Sequence, residues 1–125
     1  MKKEISTKKA PEAIGPYSQG IDTGTLIFTS GQIPLDPKTG KIECEIIEFQ
    51  TRQALENLAN VLSAAGSDIS KVIKTTLYIK NMEDFPIVNE VYSEFFEKPY
   101  PARSCVEVAR LPKDVLIEIE AIAYK

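Results

Sequence analysis

At 125 residues, with 43% apolar and 26% charged side chains, the chain has the size and usage of one globular domain spanning residues 1–125. A net charge of −3 opposes general binding to phosphate backbones, which needs positive surface and counterion release, so nucleic acid is an unfavoured partner. No histidine is present, and Cys44 and Cys105 stand far apart without a C-x-x-C, which excludes histidine zinc sites, histidine bases and Ser-His-Asp triads and predicts free thiols.

The first nine residues, Met1 to Lys9, carry basic side chains but no apolar stretch after them. They do not read as a signal peptide, no run is long enough to span a bilayer, and the cytoplasm is the expected compartment. Tyr17–Asp22 and Leu26–Gln32 flank Thr23-Gly24-Thr25 and predict a hairpin, after which Pro34 to Gly40 is rich in turn formers. From Ile47 to Ala65 the positions Ala54, Leu55, Leu58, Val61, Leu62 and Ala65 recur at helical steps, with Gly66 where a left-handed cap belongs. Val72–Ile79 is β-branched and alternates Ile73, Thr75, Leu77 and Ile79 against Lys74, Thr76 and Tyr78, which predicts a strand with one wetter face. A second helix is expected to start at a cap near Asp84, with the stripe Phe85, Val88, Tyr92, Phe95 and Phe96, and to stop before Pro99 and Pro101. Two last strands, Ala102–Ala109 and Val115–Ala123, flank Arg110 to Asp114.

A strand, helix and strand in one sheet pair in parallel through a crossover, so both helices are expected on one face of a mixed sheet. The later strands keep apolar residues on both faces, which predicts burial of the second face against another subunit.

The chemistry concentrates in Pro101-Ala102-Arg103-Ser104-Cys105-Val106-Glu107-Val108 and Ile117-Glu118-Ile119-Glu120. Arginine presents a planar fork matched to a carboxylate, and a glutamate nearby accepts a proton from water. Taken singly, Arg103 reads as a surface ion-pair partner, Glu118 as the wet face of a strand, Cys105 as a small core residue and Asn89 as a solvated side chain of the second helix. Ser30 and Gly31 read either as turn residues or as a place where a ligand reaches main-chain N–H groups, and Tyr17 as a packing residue. A hairpin of the last two strands would set Cys105 opposite Glu118, putting arginine, thiol and carboxylate on one face; a crossover would separate them.

Gly15-Pro16-Tyr17-Ser18-Gln19, Thr29-Ser30-Gly31-Gln32-Ile33-Pro34, Lys74-Thr75-Thr76 and the run from Pro101 to Val108 occur in this order. Together they resemble the RidA (YjgF/YER057c/UK114) family of reactive intermediate deaminases, from about Ala13 to Ala123. The resemblance implies a chorismate-mutase-like α+β fold, a mixed six-stranded sheet with two helices on one face, in a homotrimer whose sheets face inward around inter-subunit clefts. It favours the crossover over the hairpin.

The resemblance also implies an activity: hydrolysis of enamines and imines such as 2-aminoacrylate, released by pyridoxal-phosphate-dependent dehydratases, to 2-keto acids and ammonia. In that setting Arg103 clamps the substrate carboxylate, main-chain donors near Gly31 and Cys105 fix the ligand, and Glu118 orients or deprotonates water. Tyr17 of a neighbouring subunit walls the cleft, and Ser30 and Asn89 are secondary contacts. No metal, cofactor or covalent nucleophile is expected. The alternative is a non-catalytic trimer that binds small carboxylates or stabilises other proteins; ribonuclease activity, ascribed to some relatives, lacks an evident general acid.

Overall fold

The computed structural model describes residues 1–125. In chain order the elements are β1 (Lys3–Ile5), β2 (Gly20–Asp22), β3 (Leu26–Thr29), α1 (Ile47–Ala64), β4 (Val72–Ile79), α2 (Phe85–Phe95), β5 (Ala102–Glu107) and β6 (Ile117–Tyr124). The strands form one mixed sheet in the order β1-β2-β3-β6-β4-β5, an α+β arrangement with two helices. Only β4 and β5 run parallel, with α2 as their crossover; the other neighbours are antiparallel. The last two strands therefore form no hairpin, because β4 lies between them.

Period-two alternation decides what each strand buries. On β6 Ile117, Ile119, Ala121 and Ala123 enter the core while Glu118 and Glu120 face the other way. Leu77 and Ile79 of β4 and Ile27 of β3 join them beneath Ala54, Leu55, Leu58, Val61 and Leu62 of α1 and Val88, Val91 and Tyr92 of α2. Both helices thus cover one face, as their stripes require. The opposite face exposes Phe28, Val106 and Tyr124.

Local departures from the expected elements have identifiable causes. In β4 a register shift between Val72 and Lys74 turns Ile73 outward, where it is exposed, while Val72 is buried; a bulge breaks the alternation that placed Ile73 with Thr75 and Leu77. Asp84 does not cap α2 with its side chain: Asn81 accepts from the Glu83 N–H at 2.9 Å and opens a short 3₁₀ turn that runs into the helix. Strand β1 pairs Lys3–Ile5 with β2 at the sheet edge, the sixth strand, whose place the residue pattern did not mark. Gly66, at φ +78°, does supply the left-handed stop after α1, with the Ser67 N–H donating back to Leu62 O at 3.0 Å.

Buried amides of α1 tie irregular segments to this frame. Asn57, fully buried, donates through Nδ2 to Ile33 O at 3.0 Å and Leu35 O at 2.9 Å. Gln50 donates to Cys44 O at 3.0 Å and accepts from the Leu116 N–H at 2.8 Å. The segments that follow Gly31 and precede Glu118 are thereby anchored to the same helix. Asn57→Ala leaves two carbonyls without their donor and is expected to lower unfolding free energy by roughly 1–3 kcal/mol. Urea denaturation checks this, and an unchanged midpoint would contradict the anchoring role.

Candidate active site

Strand pairing settles where the chemistry-bearing residues point. Arg103 lies in register with Thr75, and Cys105 with Leu77, so both face the helix side of the sheet at its β5 edge. Glu118 is in register with Tyr78 and faces the other side. Within one chain the arginine and the glutamate are on opposite faces.

The Arg103 group is built by α2. Phe85, Asn89 and Tyr92 stand at i, i+4 and i+7 of one helical stripe. The Arg103 Cζ lies 5.1 Å from the Phe85 ring centroid and 4.8 Å from that of Tyr92, and Nη1 donates to Asn89 Oδ1 at 2.8 Å. No carboxylate is within ion-pair reach: the chain's ion pairs join Arg52 to Glu48 and Glu94, Arg110 to Asp114 and Lys125 to Asp22. A half-buried guanidinium held by rings and one amide keeps donors and full positive charge for an anion. Cys105, also half-buried, packs against the core cluster. Burial raises its thiol pKa, with the Arg103 charge opposing, so the group is a neutral thiol near neutral pH, and no nucleophilic thiolate forms.

The Glu118 group is built by the β3 end and β6. Gln32 and Ile119 exchange main-chain hydrogen bonds, Gln32 N to Ile119 O at 2.7 Å and Ile119 N to Gln32 O at 3.0 Å, which seats Gly31 on the Glu118 carboxylate. A Cβ at position 31 would collide with Glu118 Oε2, so only glycine leaves the carboxylate where it is. Burial raises the Glu118 pKa, and the Glu120 charge raises it further. Such a carboxyl exchanges protons closer to neutral pH than a free glutamate.

Ser30 sits beside Gly31, but its hydroxyl donates to Ser18 O at 2.5 Å, tying β3 to the loop before β2. Tyr17, exposed on that loop, and Gly31 line a cleft of about 310 Å³ with Gln19, Gln32, Ile33 and Lys113. Gln19 fixes the loop, accepting from the Thr7 N–H at 2.7 Å and donating to Thr7 O at 3.0 Å and Pro11 O at 2.7 Å. Asn89 is not merely solvated, since it accepts the Arg103 bond. The structure thus gathers Arg103, Asn89 and Cys105 in one place and Ser30, Gly31 and Glu118 in another, with Tyr17 beside the second. Phe85 and Tyr92 carry no mark in the sequence as guanidinium partners: their i, i+7 spacing around Asn89 matches a core stripe equally well. No three His, Cys, Asp or Glu side chains converge as metal ligands.

The endoribonuclease L-PSP family profile matches residues 7–125. The chain belongs to this family, the RidA/YjgF family. Among RidA/YjgF relatives, it is 59% identical over 125 residues to a RutC family protein of Pyrococcus horikoshii, covering 100% of this chain and 99% of that one. It is 54% identical over 128 residues to the 2-iminobutanoate/2-iminopropanoate deaminase of Salmonella typhimurium, covering 100% of this chain and 99% of that protein. The Escherichia coli TdcF structure with bound serine superposes with a TM-score of 0.93 at 50% identity, over 98% of each chain.

The two environments around Glu118 make separable contributions. Glu120→Gln removes the neighbouring charge and is expected to lower the Glu118 pKa, while burial keeps it above that of an exposed glutamate; carboxyl ¹³C NMR titration reads both. An unmoved Glu118 midpoint in Glu120→Gln would contradict the coupling. Gly31→Ala drives a Cβ into Oε2, Cδ and Cγ of Glu118, so the whole side chain has to turn aside; the variant is expected to shift the same titration, and an unmoved midpoint would contradict the contact.

Proposed function

We propose that this chain is an enamine/imine deaminase that hydrolyses 2-iminobutanoate, 2-iminopropanoate and their enamine tautomers, such as 2-aminoacrylate, to 2-keto acids and ammonia. The observation that carries the reading is the Arg103 guanidinium, held between Phe85 and Tyr92 with no acidic partner. A small 2-imino acid offers the planar carboxylate that such a fork binds through two parallel bonds. The Salmonella relative's name and the serine in the TdcF structure support a ligand of this size and charge.

In this mechanism Arg103 clamps the carboxylate and main-chain groups near Gly31 and Cys105 hold the rest of the ligand. Glu118 takes a proton as water adds to the imine carbon. The carbinolamine then collapses: Glu118 returns the proton to nitrogen, the C–N bond breaks, ammonia leaves, and the hydroxyl passes its proton to the Glu118 carboxylate as the keto C=O forms. An enamine first becomes the protonated imine by gaining a proton from water at its terminal carbon. Because a protonated imine is already electrophilic, positioning and one proton transfer, worth about 10²- to 10⁴-fold, suffice.

Arg103 and Glu118 face opposite sides of the sheet, so one site needs two subunits. We place the clefts in a homotrimer whose exposed faces, bearing Phe28, Val106 and Tyr124, turn inward. Tyr17 of a neighbour walls the cleft, while Ser30, through its free lone pairs, and Asn89, through its amide N–H, are outer contacts. No helix is long and apolar enough to cross a membrane, and the cytoplasm, where pyridoxal-phosphate-dependent dehydratases release such imines, is the proposed place of action. An RNA backbone would set phosphates against Glu118 and Glu120, which opposes the ribonuclease reading.

Pyruvate formation from a serine dehydratase reaction tests the proposal. Wild type is expected to accelerate release of pyruvate, and Arg103→Ala to abolish the acceleration while remaining folded; wild-type turnover in that variant would overturn the clamp. Saturable 2-oxobutanoate binding without acceleration would favour the non-catalytic alternative. As a base Glu118 must be ionised, so the kcat/KM profile is expected to show an acid limb that moves to lower pH in Glu120→Gln, which removes the charge that raises the Glu118 pKa, and Glu118→Gln to remove that limb with most of the activity.

A further inference from the structure

We propose that Tyr92, anchored on Thr75 and paired with Phe85, is a positioning residue that sets the plane of the Arg103 guanidinium and thereby the affinity for the substrate carboxylate. The inference rests on the reading of Arg103 as the carboxylate clamp.

Register sets the anchor. Thr75 is fully buried and lies opposite Arg103 across the β4–β5 pair, so the strand pairing fixes its hydroxyl beside the root of the arginine. The Tyr92 hydroxyl meets Thr75 Oγ1 at 2.8 Å, a buried bond in which each oxygen can serve as donor. Tyr92 also stacks on Phe96, with ring centroids 4.3 Å apart and planes inclined at 28°. Hydroxyl and ring are both held, so the ring is a fixed surface. The guanidinium carbon lies 4.8 Å from its centroid and 5.1 Å from that of Phe85.

A flexible arginine without a carboxylate partner would sample many rotamers, and its ordering would oppose ligand binding. Rings attract the cation without neutralising it, and Asn89 takes one donor. The arrangement pre-orients a fork while leaving its charge for the ligand. A carboxylate on α2 could orient Arg103 equally well but would compete with the substrate. Aromatic side chains at 85 and 92 therefore serve a purpose beyond filling the core.

Affinity, turnover and the arginine's own spectrum test this together. In ¹⁵N-labelled wild type the Arg103 side-chain N–H resonance is expected upfield of an ordinary arginine's, because its protons lie against ring faces. Tyr92→Leu should return it toward the ordinary position, raise the Kd for 2-oxobutanoate and the KM for the imine roughly tenfold, and leave kcat within about twofold, the pattern of lost uniform binding. Tyr92→Phe keeps the ring and loses the anchor, as does Thr75→Val; each should raise Kd about two- to threefold, and the double variant no more than either alone. Should Tyr92→Leu fail to fold, Phe85→Leu, which is only partly buried, is expected to change Kd and resonance in the same direction. A folded Tyr92→Leu or Phe85→Leu with wild-type Kd, KM and resonance would overturn the proposal. Were wild type neither to bind 2-oxobutanoate nor to hydrolyse the imine, the clamp reading would fail, and the resonance comparison would still decide whether the rings position Arg103.

Discussion

The insertion of β4 between β5 and β6 is the constraint on which the site depends. It puts Arg103 in register with Thr75 and Glu118 in register with Tyr78 on the same central strand, three residues apart and so on opposite faces. Register cannot relax this without turning Leu77, Ile79, Ile117 and Ile119 out of the core. The core that stabilises the sheet is thus the same feature that separates the cation from the carboxylate. On the proposed assembly a subunit alone carries two incomplete halves of the site, and a neighbour brings them together.

Each half is electrostatically incomplete in its own way. Arg103 is a cation without an acid, held by two rings and an amide. Glu118 is an acid without a cation, raised in pKa by burial and by Glu120, and kept in place by the bare backbone of Gly31. Joined within one chain they would form an ion pair, which would lower the glutamate's pKa and occupy the arginine's fork. Supplied by different subunits of the proposed assembly, they can stand on either side of an anionic ligand and a water molecule instead of against each other. The same logic accounts for Cys105: beside the arginine but desolvated, its thiol stays neutral and suits ligand contact better than attack.

Much of the frame was legible because burial follows period. The helical stripe from Ala54 to Leu62 and the alternation of isoleucine with glutamate on β6 each allow one solution. The bulge at Ile73 was not legible, since a β-branched residue there continues the alternation as well as it breaks it. The cap at Asn81 was hidden by Asp84, an equally good capping type nearer the helix. In the site, residue types were readable and their grouping was not: hairpin and crossover both accommodate Arg103, Cys105 and Glu118, and the choice rests on long-range pairing. Phe85 and Tyr92 fit a core stripe so well that nothing in their spacing marked them as partners of a cation.

The most direct measurement of the central claim is complementation between Arg103→Ala and Glu118→Gln subunits. Each variant alone is expected to lose most or all activity, and unfolding and refolding them together in equal amounts mixes them within the proposed trimers. If every site takes its arginine from one subunit and its glutamate from the next, random mixing restores about one-quarter of wild-type activity. Mixed trimers that form, as mass spectrometry of differently tagged subunits would establish, yet remain as inactive as either parent would contradict a site shared between subunits.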